Sequence, residues 1–286
     1  MLKSRLLPPV AARPFPSPPP LPPMPPPSAP AGALSSRLFW LATLVPCAVL
    51  LVNAGLLFSV DRVWLMLAVQ AQTQALPDAF WAGATLLGNG AMLFACMALA
   101  WRQRPDWLMA GLCALPFATL FARSGKLLID SPRPPAIVPL DQLHVVGERL
   151  LQHSLPSGHT ITAFVLAAIV LLSARPPRIV ALLALGVALL VGLSRIAVGA
   201  HWPTDVLAGA ACGWLAGALG IQLAQRWAWL RTLRAEQILA AIVLISSLSL
   251  LFINIGYNQA TPFKWLVATL GTAASGHWLW TRTRPC

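Results

Sequence analysis

Charge is what this sequence most lacks. Charged residues make up 10% of the chain against 57% apolar residues, whereas soluble domains carry about a quarter charged residues. A soluble globular protein is excluded by that contrast. The cations that are present lie on no basic helix face and are not interleaved with aromatics, so the net charge of +12 does not indicate a nucleic-acid groove. No CxxC pair occurs, which excludes a zinc ribbon, a thioredoxin-like site and a disulfide framework. Cys47, Cys96, Cys113 and Cys212 sit inside apolar stretches as small filler, and Cys286 is the last residue. No internal repeat of the kind common in transporters is visible.

What is present is a series of eight apolar stretches, at about 38–59, 79–100, 106–128, 160–174, 178–198, 204–225, 236–254 and 263–281. Each approaches the roughly 20 residues that cross a hydrocarbon core as helix. The fold class expected is therefore all-α, a polytopic membrane bundle. The fourth stretch is short, so its helix is expected to begin at the polar residues before it. Ahead of the series, residues 8–30 are more than half proline and are expected to stay extended and solvated. They do not form a signal peptide, because the basic residues are not followed directly by a short apolar run and a cleavage site.

Lysine and arginine set the orientation. With the N-terminal tail in the cytoplasm, thirteen of the twenty cations fall on that side: Lys3, Arg5, Arg13, Arg37, Arg102, Arg104, Arg175, Arg178, Arg226, Arg231, Arg234, Arg282 and Arg284. The other side keeps Arg62, Arg123, Lys126, Arg133, Arg149, Arg195 and Lys264. A multi-pass protein of the inner (cytoplasmic) membrane with both termini inside is the expectation.

Ionisable residues at the ends of apolar helices are costly and usually functional. Three clusters fit that description, and alternating spans put all three on the outer face. The first is Lys126 with Arg133-Pro134, bracketing the exit from the third stretch. An arginine fork and a lysine point charge suit the three equatorial oxygens of a phosphoryl group, although a lysine can also merely snorkel. Arg123, one turn earlier, is assigned no role. The second is Pro156-Ser157-Gly158-His159, where proline and serine are ordinary helix-start residues and free amides attract anions. His144 and His153 nearby read as ordinary loop residues. The third is Ser194-Arg195 with His201-Trp202-Pro203-Thr204-Asp205. Asp205, four residues after His201, can accept a proton from one imidazole nitrogen and leave the other a lone pair for attack. A metal pair competes there, but two ligands without a third are weak grounds for one.

The pattern K-x6-RP, PSGH and SR-x5-H-x3-D resembles that of the type-2 phosphatidic acid phosphatase superfamily, which shares its helical core with vanadium-dependent haloperoxidases. Every signature position is present between residues 126 and 205. The resemblance implies a six-helix lipid phosphatase core over about 38–225, after a disordered cytoplasmic tail at 1–36. Residues 226–286, with two further transmembrane helices, fall outside it. It implies that His201 is the nucleophile forming a phosphohistidine, with Asp205 orienting it and His159 as general acid. Lys126, Arg133 and Arg195, with Ser157 and the Gly158 amide, would hold the phosphoryl oxygens, and no metal or other cofactor would be needed. The substrate expected is a lipid phosphate or diphosphate in the bilayer, with undecaprenyl diphosphate favoured and no nucleic-acid partner. A lipid phosphotransferase using the same site, and a silent lipid-binding or transport protein, are the alternatives.

Overall fold

The computed structural model describes residues 34–99, 104–173, 176–227, 229 and 232–283. The chain divides after Ala31, and all of these residues lie in the unit Gly32–Cys286. The proline-rich tail, apart from residues 34–36, is outside the described residues.

No strand occurs among the described residues, and helix accounts for nearly all regular structure. Helix α1 spans Ser36–Leu57, α2 Arg62–Thr73, α3 Asp78–Leu86, α4 Gly90–Ala98, α5 Pro105–Leu128 and α6 Pro134–Ile137. They are followed by α7 Gly158–Leu172, α8 Arg178–Ala197, α9 Pro203–Arg226, α10 Leu233–Phe252 and α11 Thr261–Thr283. Every expected apolar stretch is helical, and α7 does begin within the PSGH cluster. Five of them, α1, α5, α8, α9 and α10, are long and apolar enough to cross a membrane. Their outward faces are greasy: Leu38, Leu44, Val45, Val52 and Leu56 on α1 and Ile179, Leu182, Leu183 and Leu189 on α8 are all exposed. So much uncovered apolar surface suits a lipid solvent. The protein is a polytopic helical membrane bundle.

Three stretches depart from simple spans. The second is two helices, α3 and α4, bent by 75° at a short break, the geometry of a broken span or of a re-entrant loop. The break is chemical. Asn89 ends one helix and caps the next, its side-chain oxygen accepting from the Ala91 and Met92 amides at 2.9 and 3.3 Å. Helix α7 has only 15 residues. Helix α11 is long enough, but Lys264, His277 and scattered threonines and serines leave it short of the apolar composition of the others.

The short helix α2 was not anticipated. Asp61 caps it, accepting from Val63 and Trp64, and Gln70 on it donates to the carbonyls of His144, Ile196 and Ala197 at 2.7, 3.1 and 3.2 Å. Gln70 thus ties α2 to the end of α8 and to the long loop after α6.

Helix α9 is central and packs on α1, α5 and α7. Its face toward α7 carries Gly209, Gly213 and Gly217 at four-residue intervals. A Cβ on Gly209 would lie 2.7 Å from the Ser157 carbonyl, and one on Gly217 2.8 Å from the Ala168 Cβ. Small residues at this spacing let two membrane helices meet backbone to backbone. The seam therefore fixes the start of α7, where His159 lies, against the start of α9, where Asp205 lies.

Candidate active site

The three polar clusters converge at one end of the bundle. The α8–α9 turn supplies the centre. Its backbone reverses tightly, with the amides of Ala200 and His201 both donating to the Arg195 carbonyl at 3.0 and 3.1 Å. Gly199 takes φ +74 there, and a Cβ at that position would lie 2.5 Å from the His144 carbonyl. A side chain is excluded on both counts.

His201 is buried at the end of that turn. Its Nδ1 lies 3.4 Å from Asp205 Oδ2 and its Nε2 lies 3.3 Å from Arg133 Nη1. With the proton on Nδ1, the Nε2 lone pair faces the guanidinium. Asp205 Oδ2 also accepts from the Trp202 amide at 2.9 Å and from the Ser154 hydroxyl at 2.5 Å. The first of these is a helix-start bond of the capping-box type; the second pins the carboxylate from the loop side. Asp205 is thereby held rigidly, and the His201 ring with it.

Arg133 is locked by carbonyls. Nε donates to Gln152 at 2.9 Å, and Nη1 donates to Ala200 at 3.1 Å. The loop that presents it is itself tied down, with the Arg133 amide donating to Leu151 and the Ser154 amide to Ser131. Burial, then the charge of Arg195, pulls the Arg133 guanidinium down to about 10, with Asp205 opposing. It stays cationic at neutral pH. Arg195, on the last turn of α8, is buried as well, and Nη1 donates to Thr85 Oγ1 at 2.5 Å and to Tyr257 Oη at 2.7 Å. Lys126 is half-buried at the end of α5, whose Lys126 carbonyl lies 3.3 Å from His153 Nδ1.

Burial first, and then the charges of Arg133, Arg195 and Lys126, hold the His201 imidazole well below the ordinary value of 6.5. It is neutral at physiological pH, the form in which an imidazole carries a lone pair. His159, in the first turn of α7, lies within electrostatic range of the same three cations and of His201, and its buried Nε2 has no hydrogen-bond partner. Ser157 starts α7, its own amide donating to the Asp205 carbonyl at 3.1 Å and its hydroxyl accepting from Thr160 at 2.9 Å. Gly158 follows as the first residue of α7, partly exposed and with open space where a Cβ would lie.

All eight residues picked out in the sequence are therefore local to this end of the bundle. Arg123 is exposed, one turn before Lys126 on α5, whereas His144 and His153 take structural parts. His144 pairs with Asp78 at 2.8 Å, and the His153 carbonyl accepts from Arg133 at 3.4 Å. Three residues went unnoticed in the sequence: Ser154, Thr85 and Tyr257. Ser154 stands two residues before the PSGH motif, and that nearness is the signal it carries. Thr85 and Tyr257 lie 110 and 62 residues from Arg195 in the chain, and nothing local marks them. Among the described residues, no group of three or more His, Cys, Asp or Glu side chains is placed to hold a metal ion.

A buried neutral histidine backed by a carboxylate and ringed by three cations is a place for an oxyanion and a nucleophile. Residues 107–229 match the family model of the PAP2 superfamily. That stretch is a PAP2 superfamily region. It takes in all three clusters but excludes α1–α4, α10 and α11. Two solved structures are similar to the chain. Aquifex aeolicus LpxE is 28% identical, covering 54% of this chain and 93% of its own, with a TM-score of 0.47. The first transmembrane PAP2 type phosphatidylglycerolphosphate phosphatase from Bacillus subtilis is 21% identical, covering 68% of this chain and 98% of its own, with a TM-score of 0.45. No curated protein matches the chain. The chain is thus a multi-pass membrane protein that carries a PAP2 superfamily region.

Proposed function

We propose that the protein hydrolyses a lipid phosphate or diphosphate through a phosphohistidine on His201, without a metal ion. The observation that carries this reading is the setting of His201: Nδ1 toward Asp205, Nε2 toward Arg133, and the whole ring out of water. The Nε2 lone pair attacks phosphorus as the bond to the leaving oxygen breaks, and the Nδ1 proton stays on the imidazole beside Asp205. His159 delivers a proton to the leaving oxygen. The bound phosphate's own negative charge favours the imidazolium form that this role needs. Water then attacks the phosphohistidine, His159 takes its proton, and inorganic phosphate leaves.

Lys126, Arg133 and Arg195 supply the positive charge that the transferring oxygens need, together with the Ser157 hydroxyl and the Gly158 amide. Within the substrate class, undecaprenyl diphosphate is favoured. A diphosphate matches three cations in charge, and the lysine and arginine bias supports a site on the extracytoplasmic face of the inner membrane. The division into a tail at 1–36, a catalytic core at 38–225 and an added pair of helices at 226–286 belongs to the same proposal.

The test is phosphate release from a panel of purified lipid phosphates and diphosphates in detergent, with EDTA present and with orthovanadate titrated. Turnover that persists in EDTA and is blocked by vanadate, a five-coordinate mimic of the transferring group, is expected. Strict dependence on added Mg²⁺ or Zn²⁺ would overturn the metal-free mechanism. No release from any member would overturn the hydrolase reading.

A further inference from the structure

The chain contains a single tyrosine, Tyr257. It lies in the connection between α10 and α11, beyond the residues matched to the PAP2 superfamily. Its hydroxyl nevertheless accepts from Arg195 Nη1 at 2.7 Å, and Thr85 Oγ1, from the end of α3, accepts from the same nitrogen at 2.5 Å. A guanidinium Nη carries two protons, so both on Nη1 are committed. Arg195 is 98% buried, yet its buried Nε has no hydrogen-bond partner. A buried N–H left open costs free energy, and native structures seldom tolerate it without a guest.

We propose that Tyr257 and Thr85 form a clamp that reserves the Nε–Nη2 edge of Arg195 for two phosphoryl oxygens. Tyr257 is then a positioning residue, and the α10–α11 hairpin is part of the phosphate site rather than an appendage to it. An arginine recognises a phosphate by presenting two parallel N–H bonds from one edge, and fixing Nη1 selects which edge is presented. The tyrosine is built to stay in place. Gly147, at φ +88 in the loop after α6, lies against its ring, where a Cβ would come within 2.8 and 2.9 Å of ring carbons Cε1 and Cδ1. The Arg195 Cζ sits 5.9 Å from the ring centroid. Phenylalanine at 257 keeps that packing and removes only the hydroxyl.

The clamp rests on the oxyanion reading of the site given above. Its test therefore measures inorganic phosphate binding and lipid phosphate turnover separately, on the full-length protein in detergent. Tyr257→Phe and Thr85→Val are expected each to weaken phosphate affinity by about three- to tenfold, the effect of one hydrogen bond, and to raise KM more than they lower kcat. In an Arg195→Lys background, whose ammonium has no edge to select, Tyr257→Phe should change phosphate affinity by less than about twofold. Unchanged affinity in Tyr257→Phe overturns the clamp, and so does an equal loss in both backgrounds. If the wild type binds phosphate and shows this coupling but releases none from lipids, the hydrolase reading falls and the clamp stands. If the wild type binds no phosphate, both fall.

Discussion

Replacing Asp205 with asparagine isolates what the carboxylate charge does. The amide oxygen can still accept from the Trp202 amide and the Ser154 hydroxyl, which are 2.9 and 2.5 Å from Oδ2. The start of α9 should therefore hold, and the unfolding midpoint should move little. What is lost is a negative charge 3.4 Å from His201 Nδ1, with the two side chains only 3% and 1% exposed. In the ground state His201 is neutral, so that charge contributes little to it. As Nε2 bonds to phosphorus the ring becomes cationic, and the pair is worth at most about 5 kcal/mol at an effective dielectric near 20. The amide dipole recovers part of this. We expect Asp205→Asn to lose about 3–4 kcal/mol of transition-state stabilisation, roughly 10²- to 10³-fold in kcat, with KM nearly unchanged. Steady-state phosphate release beside a thermal unfolding curve measures both. A variant within about threefold of wild type would refute the nucleophile assignment. So would a loss that tracks unfolding.

His201→Ala should be more severe than Asp205→Asn, because it removes the attacking atom; more than about a tenth of wild-type turnover would contradict the assignment. The acid limb of kcat/KM that reports His201 should lie below pH 6.5, because burial and the three cations hold its imidazole well below that value. The same depression means that the unfolded chain binds the proton first. The stability that His201 contributes is present above pH 6.5, falls as pH drops toward its folded value, and is absent from the His201→Ala unfolding profile. Sidedness is checked with single cysteines and an impermeant thiol reagent on intact cells. A cysteine at exposed Gln142 should label and one at Ser17 should not, and the reverse would put the site on the cytoplasmic side.

Helix positions were readable because an apolar run bounded by arginines or prolines has few alternatives in a lipid solvent. The chemistry at the helix ends was readable for the same reason, since charge there is rare enough to stand out. The break between α3 and α4 was harder. Gly88-Asn89-Gly90 reads as flexible sequence within an apolar stretch, but the cap that Asn89 supplies and the packing of Gly88 turn it into a bend. A Cβ at Gly88 would lie 2.7 Å from the His159 Cβ, a requirement set by α7 and invisible locally. Helix α2 carries a recognisable Asp61 cap, yet its purpose lies in where Gln70 reaches. Ser154 stands just outside the PSGH motif, two residues before Pro156, with no pattern of its own. Thr85 and Tyr257 show the limit plainly: an uncharged hydroxyl has no sequence signature until the fold brings an arginine to it.

The glycine seam between α7 and α9 has a mechanical consequence. Side chains can rotate or compress to absorb a misfit, whereas backbone against backbone has no slack. The helix starts that hold His159 and Asp205 are therefore set as in a jig, at a spacing that does not respond to what lies in the bilayer alongside. Differences in lipid chain length or saturation must then be absorbed elsewhere in the bundle, at contacts made by side chains. Adding a methyl to the seam, as in Gly213→Ala, would shift the two reacting ends apart while leaving every polar side chain of the site chemically unchanged.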